Sequence, residues 1–170
     1  MPSLVVRAAE PGDARAIAEL HVEAWRAAYA GLLPDELLAA LSVDARERMW
    51  RELLAAGASA PVLVAEAGGG IGGFCALAVP ARDDDAGERT AEVGAIYVEP
   101  ALWRSGIGTA LMDAAEAGLR ERGCDDIVLW VLPENEPAVG FYERRGFERD
   151  GAERREEGSG ALVVRLRRVL

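Results

Sequence analysis

Gly106 and Gly108 stand one residue apart in the stretch LWRSGIGTALM (102–112), directly behind the apolar run VGAIYV (Val93 to Val98) and at the head of an amphipathic pattern. Glycine inside a helix costs about 1 kcal/mol against alanine. Two of them at a helix start therefore point to something that must come close to the backbone. The free N–H groups and positive dipole end of a helix form an anion site, and missing Cβ atoms admit a bulky anion such as a diphosphate. Close packing of helix on strand would ask for the same glycines. Two nucleotide-binding patterns fail: GxxxxGK[ST] needs a lysine, which the chain lacks, and GxGxxG needs a third glycine where Leu111 stands.

Other chemistries find less support. Cys75 and Cys124 lie far apart with no CxxC spacing and no clustered histidines, so neither a disulfide framework nor a metal site is indicated. The net charge is -10 and every positive side chain is an arginine. An acidic field repels phosphate backbones, so no nucleic-acid partner is expected, and cationic small molecules are weakly favoured. No apolar run approaches the ~20 residues of a membrane span, and the first ten residues lack the basic and apolar segments of a signal peptide. A soluble, cytoplasmic protein without a membrane partner is the expectation.

The elements that must position these residues can be read along the chain. LVVRAA (Leu4 to Ala9) reads as a strand. Asp13 then caps a helix with Ile17, Leu20, Ala24 and Ala28 on one face, ending near Gly31. Pro34 opens a short helix to Leu41, and Ser42 caps another ending at Gly57. PVLVAE and GGFCALAV form a β-hairpin across AGGG, and AEVGAIYV follows the polar loop ARDDDAGERT, whose Asp83, Asp84 and Asp85 read as solvated. A helix runs from about Gly106 to Arg122. IVLWVL (Ile127 to Leu132) is apolar throughout, as in a strand buried on both faces. A last helix, Glu136 to Arg145, stops at Gly146, and two strands, Glu148 to Ala152 and Leu162 to Arg168, close the chain. Strand–helix–strand demands a parallel crossover while the hairpins demand antiparallel pairs. The fold class is thus α/β (α+β), one domain over 1–170, with a mixed, mostly antiparallel sheet of about seven strands flanked by helices.

From Glu92 to Phe147 the sequence resembles the GNAT superfamily of N-acetyltransferases, which move an acetyl group from acetyl-CoA to an amine. The family's acyl-CoA loop, [RQ]xxGxG[AG], corresponds to Trp103-Arg104-Ser105-Gly106-Ile107-Gly108-Thr109, with tryptophan where arginine or glutamine is common. Its later motif, NxxAxxFYxxxGF, is intact from Asn135 through Ala138, Phe141 and Tyr142 to Gly146 and Phe147. Together with AWRAAYAGLLP and LWVLPEN, the whole chain is similar to a bacterial subgroup whose acceptors are mostly unassigned.

The resemblance implies roles. Tyr142 is the acid that protonates the departing thiolate, and Phe141 beside it contacts the cofactor. Glu92 stands where family members often carry a carboxylate that takes the amine's proton, commonly through water. Backbone groups of Ile96, Tyr97 and Val98 bind the thioester carbonyl and pantetheine arm. Trp103 to Thr109 hold the pyrophosphate, with Arg104 supplying charge. Asn135 either bonds the pantetheine arm or caps the last helix. Trp25 and Tyr29, on one stripe with His21, and Trp130 either line the acceptor cleft or belong to the core. His21 itself reads as a surface or packing histidine. The implied activity is direct acetyl transfer, in a ternary complex, to a primary amine of a polyamine, amino acid or aminoglycoside-like compound. Acetylation of protein N-termini and non-catalytic sensing of acyl-CoA are the alternatives. Homodimers are frequent in the family, though no residue here marks an interface.

Overall fold

The computed structural model describes residues 3–57 and 60–170. Strand β1 (Val5–Ala8) leads through a 3-10 turn into helix α1 (Ala14–Ala28), followed by α2 (Asp35–Ala39) and α3 (Val43–Ala55). Strands β2 (Val62–Ala67), β3 (Gly70–Ala78) and β4 (Thr90–Val98) precede helix α4 (Ile107–Glu121). Strand β5 (Asp126–Val131), helix α5 (Glu136–Arg144) and strands β6 (Glu148–Arg155) and β7 (Leu162–Val169) complete the order. The seven strands form one sheet in the order β1-β2-β3-β4-β5-β7-β6. Only β4 and β5 run parallel; all other neighbours are antiparallel. The alternation and breaker residues read from the sequence thus give the expected mixed sheet, with β6 reaching Arg155, beyond the anticipated Ala152.

Each face of the sheet buries a separate core. On one, α4 and α5 lay Ile107, Leu111, Met112, Ala115, Leu119 and Tyr142 against Leu77, Val93, Ile127 and Leu129. On the other, α1 and α3 pack Ile17, Ala18, Leu20 and Trp50 onto Val64, Phe74 and Ala76. Burial on both sides explains the unbroken apolar run of β5. Ser42 caps α3 by accepting from the Ala45 N–H at 3.2 Å.

Polar pairs lock these layers in place. His21 is buried: its Nδ1 accepts from Trp50 Nε1 at 3.2 Å, and its ring stacks on Tyr97 with centroids 5.4 Å apart. It is a packing histidine, and burial, helped by nearby Arg46, pushes its pKa down to about 3. Across the sheet, Glu116 of α4 is buried beside Arg145 (3.1 Å) and also pairs with Arg168 of β7.

Candidate active site

The sheet comes apart in its middle. β4 and β5 pair only from Thr90 opposite Asp126 to Val93 opposite Leu129, although both strands continue beyond. A register shift between Ala76 and Leu77 leaves Gly94 as an extra residue on β4 where the parting begins. The Glu99 N–H bonds to the Gly72 carbonyl, so in the two-residue alternation Glu99, Tyr97 and Ala95 address β3. Ile96 and Val98 therefore turn their backbone N–H and C=O groups into the gap, as donors and acceptors without a strand partner.

A cleft of about 930 Å³ runs through this gap. One wall is α4 and α5: Gly106, Ile107, Gly108, Thr109, Asn135 and Tyr142 line it. The other is the end of α1 and the turn after it, including Ala28, Tyr29 and Leu32, with Tyr97 and Trp130 between. Among the described residues, the lining contains no aspartate, glutamate or histidine.

The glycine loop has the shape its chemistry asks for. Arg104 (φ 63°) and Gly106 (φ 89°) both adopt the left-handed conformation, which turns the chain sharply into α4. Gly106 is thus required by its own backbone. Gly108 is not demanded by packing: a Cβ there would rest in ordinary contact, 3.6 Å from the Phe141 ring, at a point where both residues line the cleft. The first N–H groups of α4 have no intrahelical partner and face a passage two glycines keep open. A diphosphate suits that donor set, with Arg104 and Arg144 also in the lining. Trp103, half exposed, departs from the family pattern: its Nε1 donates to the gap-facing carbonyl of Val98 at 2.9 Å. The close approach of α4 to the sheet has its own cause in Gly72 and Gly73 of β3, where added Cβ atoms would come within 2.9 Å of Leu102 and 2.8 Å of Ile107.

The remaining residues singled out in the sequence divide into those at the cleft and those behind it. Tyr142 is 9 % exposed, packed between Phe141 and Phe147, and its hydroxyl has no hydrogen-bond partner among the described residues. Burial pushes its pKa up, so the phenol holds its proton at neutral pH. Asn135 precedes α5 at its cap position, yet its side chain makes no cap hydrogen bond and lies in the lining. Tyr29 and Tyr97 join hydroxyl to hydroxyl at 2.8 Å on the α1 side. Trp25 does not reach the lining; it sits behind Tyr29 (centroids 5.0 Å apart), under Arg46, with a buried Nε1 that has no hydrogen-bond partner among the described residues.

Glu92 is also outside the lining, on the α1 side of the sheet. Its carboxylate is bidentate on Arg82 (2.6 and 3.1 Å) and accepts the Arg82 backbone N–H. Burial alone would raise its pKa, but the Arg82 bonds hold it below the usual carboxylate value, an arrangement that weakens a base. Arg82 in turn lies against Gly94, where a Cβ would meet its Nη2 at 3.2 Å. In the aspartate run Asp84 and Asp85 are exposed, as expected of a solvated loop, while Asp83 is turned inward. Asp83 accepts from the Trp130 Nε1 at 3.1 Å, and Asp83 and Asp85 both bind Arg165 (3.3 and 2.6 Å). The reason is long-range: β7 lies next to β5, which brings Arg165 opposite Trp130. Arg154 completes the cluster, stacked 4.2 Å over the Trp130 ring.

Residues the sequence did not offer include Leu32, Arg82 and the side chain of Tyr97. Leu32 follows the aromatic stripe and could have been found there. Arg82 and the Tyr97 ring depend on strand register, which no local pattern reveals.

Comparison with known proteins agrees with this geometry. Residues 13–147 match the model of the acetyltransferase (GNAT) family. The uncharacterized N-acetyltransferase YuaI of Bacillus subtilis is 32 % identical over 167 residues, covering 98 % of this chain and 90 % of that one. A probable N-acetyltransferase of Mycobacterium tuberculosis is 30 % identical over 152 residues, covering 86 % and 80 %. In fold, the chain is similar to the PaiA N-acetyltransferase of Thermoplasma acidophilum, solved in complex with coenzyme A, with a TM-score of 0.82, 21 % identity and 99 % of each chain covered. The yncA structure of Salmonella typhimurium, with its cofactor acetyl-CoA, gives a TM-score of 0.72 at 22 % identity, covering 99 % and 94 %. The chain belongs to the acetyltransferase (GNAT) family.

Proposed function

We propose that this acetyl-CoA-dependent acetyltransferase passes its acetyl group directly to the primary amine of a small molecule, both substrates being bound at once. Acetyl-CoA supplies an activated thioester. The α4 start and its loop would hold the diphosphate, and the gap-facing groups of Ile96 and Val98 would hold the acyl arm between the strands. The acceptor would enter from the α1 side, past Tyr29 and Trp130. Tyr142 stands where the two paths meet and gives its proton to the leaving sulfur. A cytoplasmic setting and a homodimer go with this reading as proposals from the resemblance.

The observation that carries the reading is the unpartnered Tyr142 hydroxyl in a cleft bounded by a strand gap on one side and a glycine-rich helix start on the other. The absence of carboxylates from the lining favours an acceptor with an apolar or aromatic body over a polyamine, whose several ammonium groups would find no counter-charge there. Acetylation of a protein N-terminus and silent sensing of acyl-CoA stand as alternatives.

Thiol release with acetyl-CoA over spermidine, tryptamine, L-methionine and a short peptide separates them. Turnover with tryptamine or L-methionine is expected; turnover with the peptide alone favours the N-terminal enzyme, and binding of acetyl-CoA without any release favours the sensor. In the same assay Tyr142→Phe should lower kcat by about 10²-fold or more while acetyl-CoA affinity stays nearly constant. A wild-type rate from that variant removes Tyr142 from the mechanism.

A further inference from the structure

The titratable side chains of the cleft lining are three phenols and two guanidiniums: Tyr29 after α1, Tyr97 on β4, Tyr142 and Arg144 on α5, and Arg104 in the glycine loop. Helix α4 and strand β5 add none among the described residues. Met1, Pro2, Ala58 and Ser59, which lie outside those residues, carry neither carboxylate nor imidazole. Burial raises the pKa of each phenol, so all three hold their protons at neutral pH and none serves as a base there. The Tyr29 and Tyr97 hydroxyls are, moreover, bonded to each other at 2.8 Å.

The acids around the cleft are engaged or set apart. Glu92 is bidentate on Arg82, and Asp83, bonded to the Trp130 indole, is shared with Arg154 and Arg165. Glu134 is exposed to solvent beside Asn135. Glu99 and Glu156 are half-buried and free of ion pairs among the described residues, yet both stand outside the lining, Glu99 just beyond β4 and Glu156 just beyond β6. The aromatic wall is no better a seat for a cation. The Trp130 ring already lies under Arg154 at 4.2 Å, with Arg165 at 5.6 Å. An alkylammonium entering the cleft thus exchanges water for a lining with two fixed positive charges and no negative one, a desolvation that the lining does not offset.

Resting on the function proposed above, we propose that the acceptor enters as a neutral amine and reacts without a base on the protein, so that the site suits weakly basic amines, those beside a carbonyl-bearing carbon as in an α-amino amide, over alkylamines. The nitrogen lone pair forms the C–N bond as the C–S bond breaks, and the sulfur takes the Tyr142 proton. The proton left over on the new amide nitrogen returns to the Tyr142 oxygen. Amine and thioester thus become amide and thiol with no proton passed to solvent, whereas an ammonium would leave one in surplus. An amine of the α-amino amide type has a pKa of about 8, against about 10.4 for a lysine-like alkylamine, so its neutral fraction at pH 7 is on the order of 10²-fold larger.

The test is enzyme-dependent thiol release from acetyl-CoA between pH 6 and pH 9 with two pairs of amines, tryptamine against L-tryptophanamide and L-methionine against L-methioninamide. For tryptamine and L-methionine kcat/KM should climb about tenfold per pH unit without levelling below pH 8, because only the neutral fraction reacts. For the two amides it should level near pH 8, and at pH 7 each amide should exceed its partner by roughly 10- to 10²-fold. Glu99→Gln, which removes the acid next to the gap residue Val98, should reproduce the wild-type profile. A tryptamine or L-methionine profile that levels near or below pH 7 marks a base on the protein and overturns the proposal, as does a Glu99→Gln profile lowered by about 10²-fold or more at pH 7. Absence of thiol release with all four amines, although acetyl-CoA binds, overturns the small-amine reading and this proposal with it.

Discussion

At the scale of single residues, the glycine pair divides into one position that its backbone fixes and one that it does not. Gly106 has φ 89°, a conformation that costs an L side chain about 1–2 kcal/mol, whereas Gly108 has an ordinary backbone and a Cβ there would make only ordinary contact with Phe141. Gly106→Ala should therefore strain the loop and turn its N–H groups away from the ligand, weakening acetyl-CoA binding by about tenfold as measured by calorimetry. Both glycines, Tyr142 and Asn135 were legible in the sequence because their chemistry is local: a turn, a helix start, a motif of fixed spacing. Glu92 was visible for the same reason, but its partner Arg82 is ten residues earlier across a loop, so the ion pair that occupies it was not.

Elements supply the shape into which those residues fit. The helix that carries the anion site lies close to the sheet because β3 offers Gly72 and Gly73 beneath it, and the distances of 2.8 Å to Ile107 and 3.0 Å to Leu111 leave no room for a methyl group on Gly73. Gly73→Ala should push the start of α4 outward, costing about 1–3 kcal/mol in a urea titration and loosening acetyl-CoA binding in parallel. A stability loss with full cofactor affinity would mean that helix and loop are not coupled. Helix and strand identities followed from hydrophobic period and breakers, and the parallel crossover from the strand–helix–strand order. The parting of β4 from β5 did not follow, since AIYV and LWVL read as ordinary strand sequence; separation depends on a bulge at Gly94 and on what lies between, neither of which alters the apolar pattern.

Across the whole molecule, the aromatic core under α1 makes stability depend on pH. His21 has an ordinary value of 6.5 and a folded value of about 3, because burial excludes its charge. The unfolded chain therefore binds a proton that the folded chain refuses, and the stability this represents is complete above pH 6.5 and drains away as pH falls toward 3. Asp13, Asp85, Glu92 and Asp150 are held below the usual carboxylate values by their partners and add to the loss at the acid end. His21→Gln, which keeps an acceptor for Trp50, should show a shallower fall in urea midpoint between pH 6 and pH 4 than the wild type; an identical slope would show that His21 titrates normally. The parted sheet has one more consequence. Interior strand edges with free amides and carbonyls are templates on which another chain can lay a strand, the first step of aggregation. The indole of Trp103 stoppers the Val98 carbonyl with a side chain, so the protein waiting for its ligand offers newcomers a broken row instead of a continuous one.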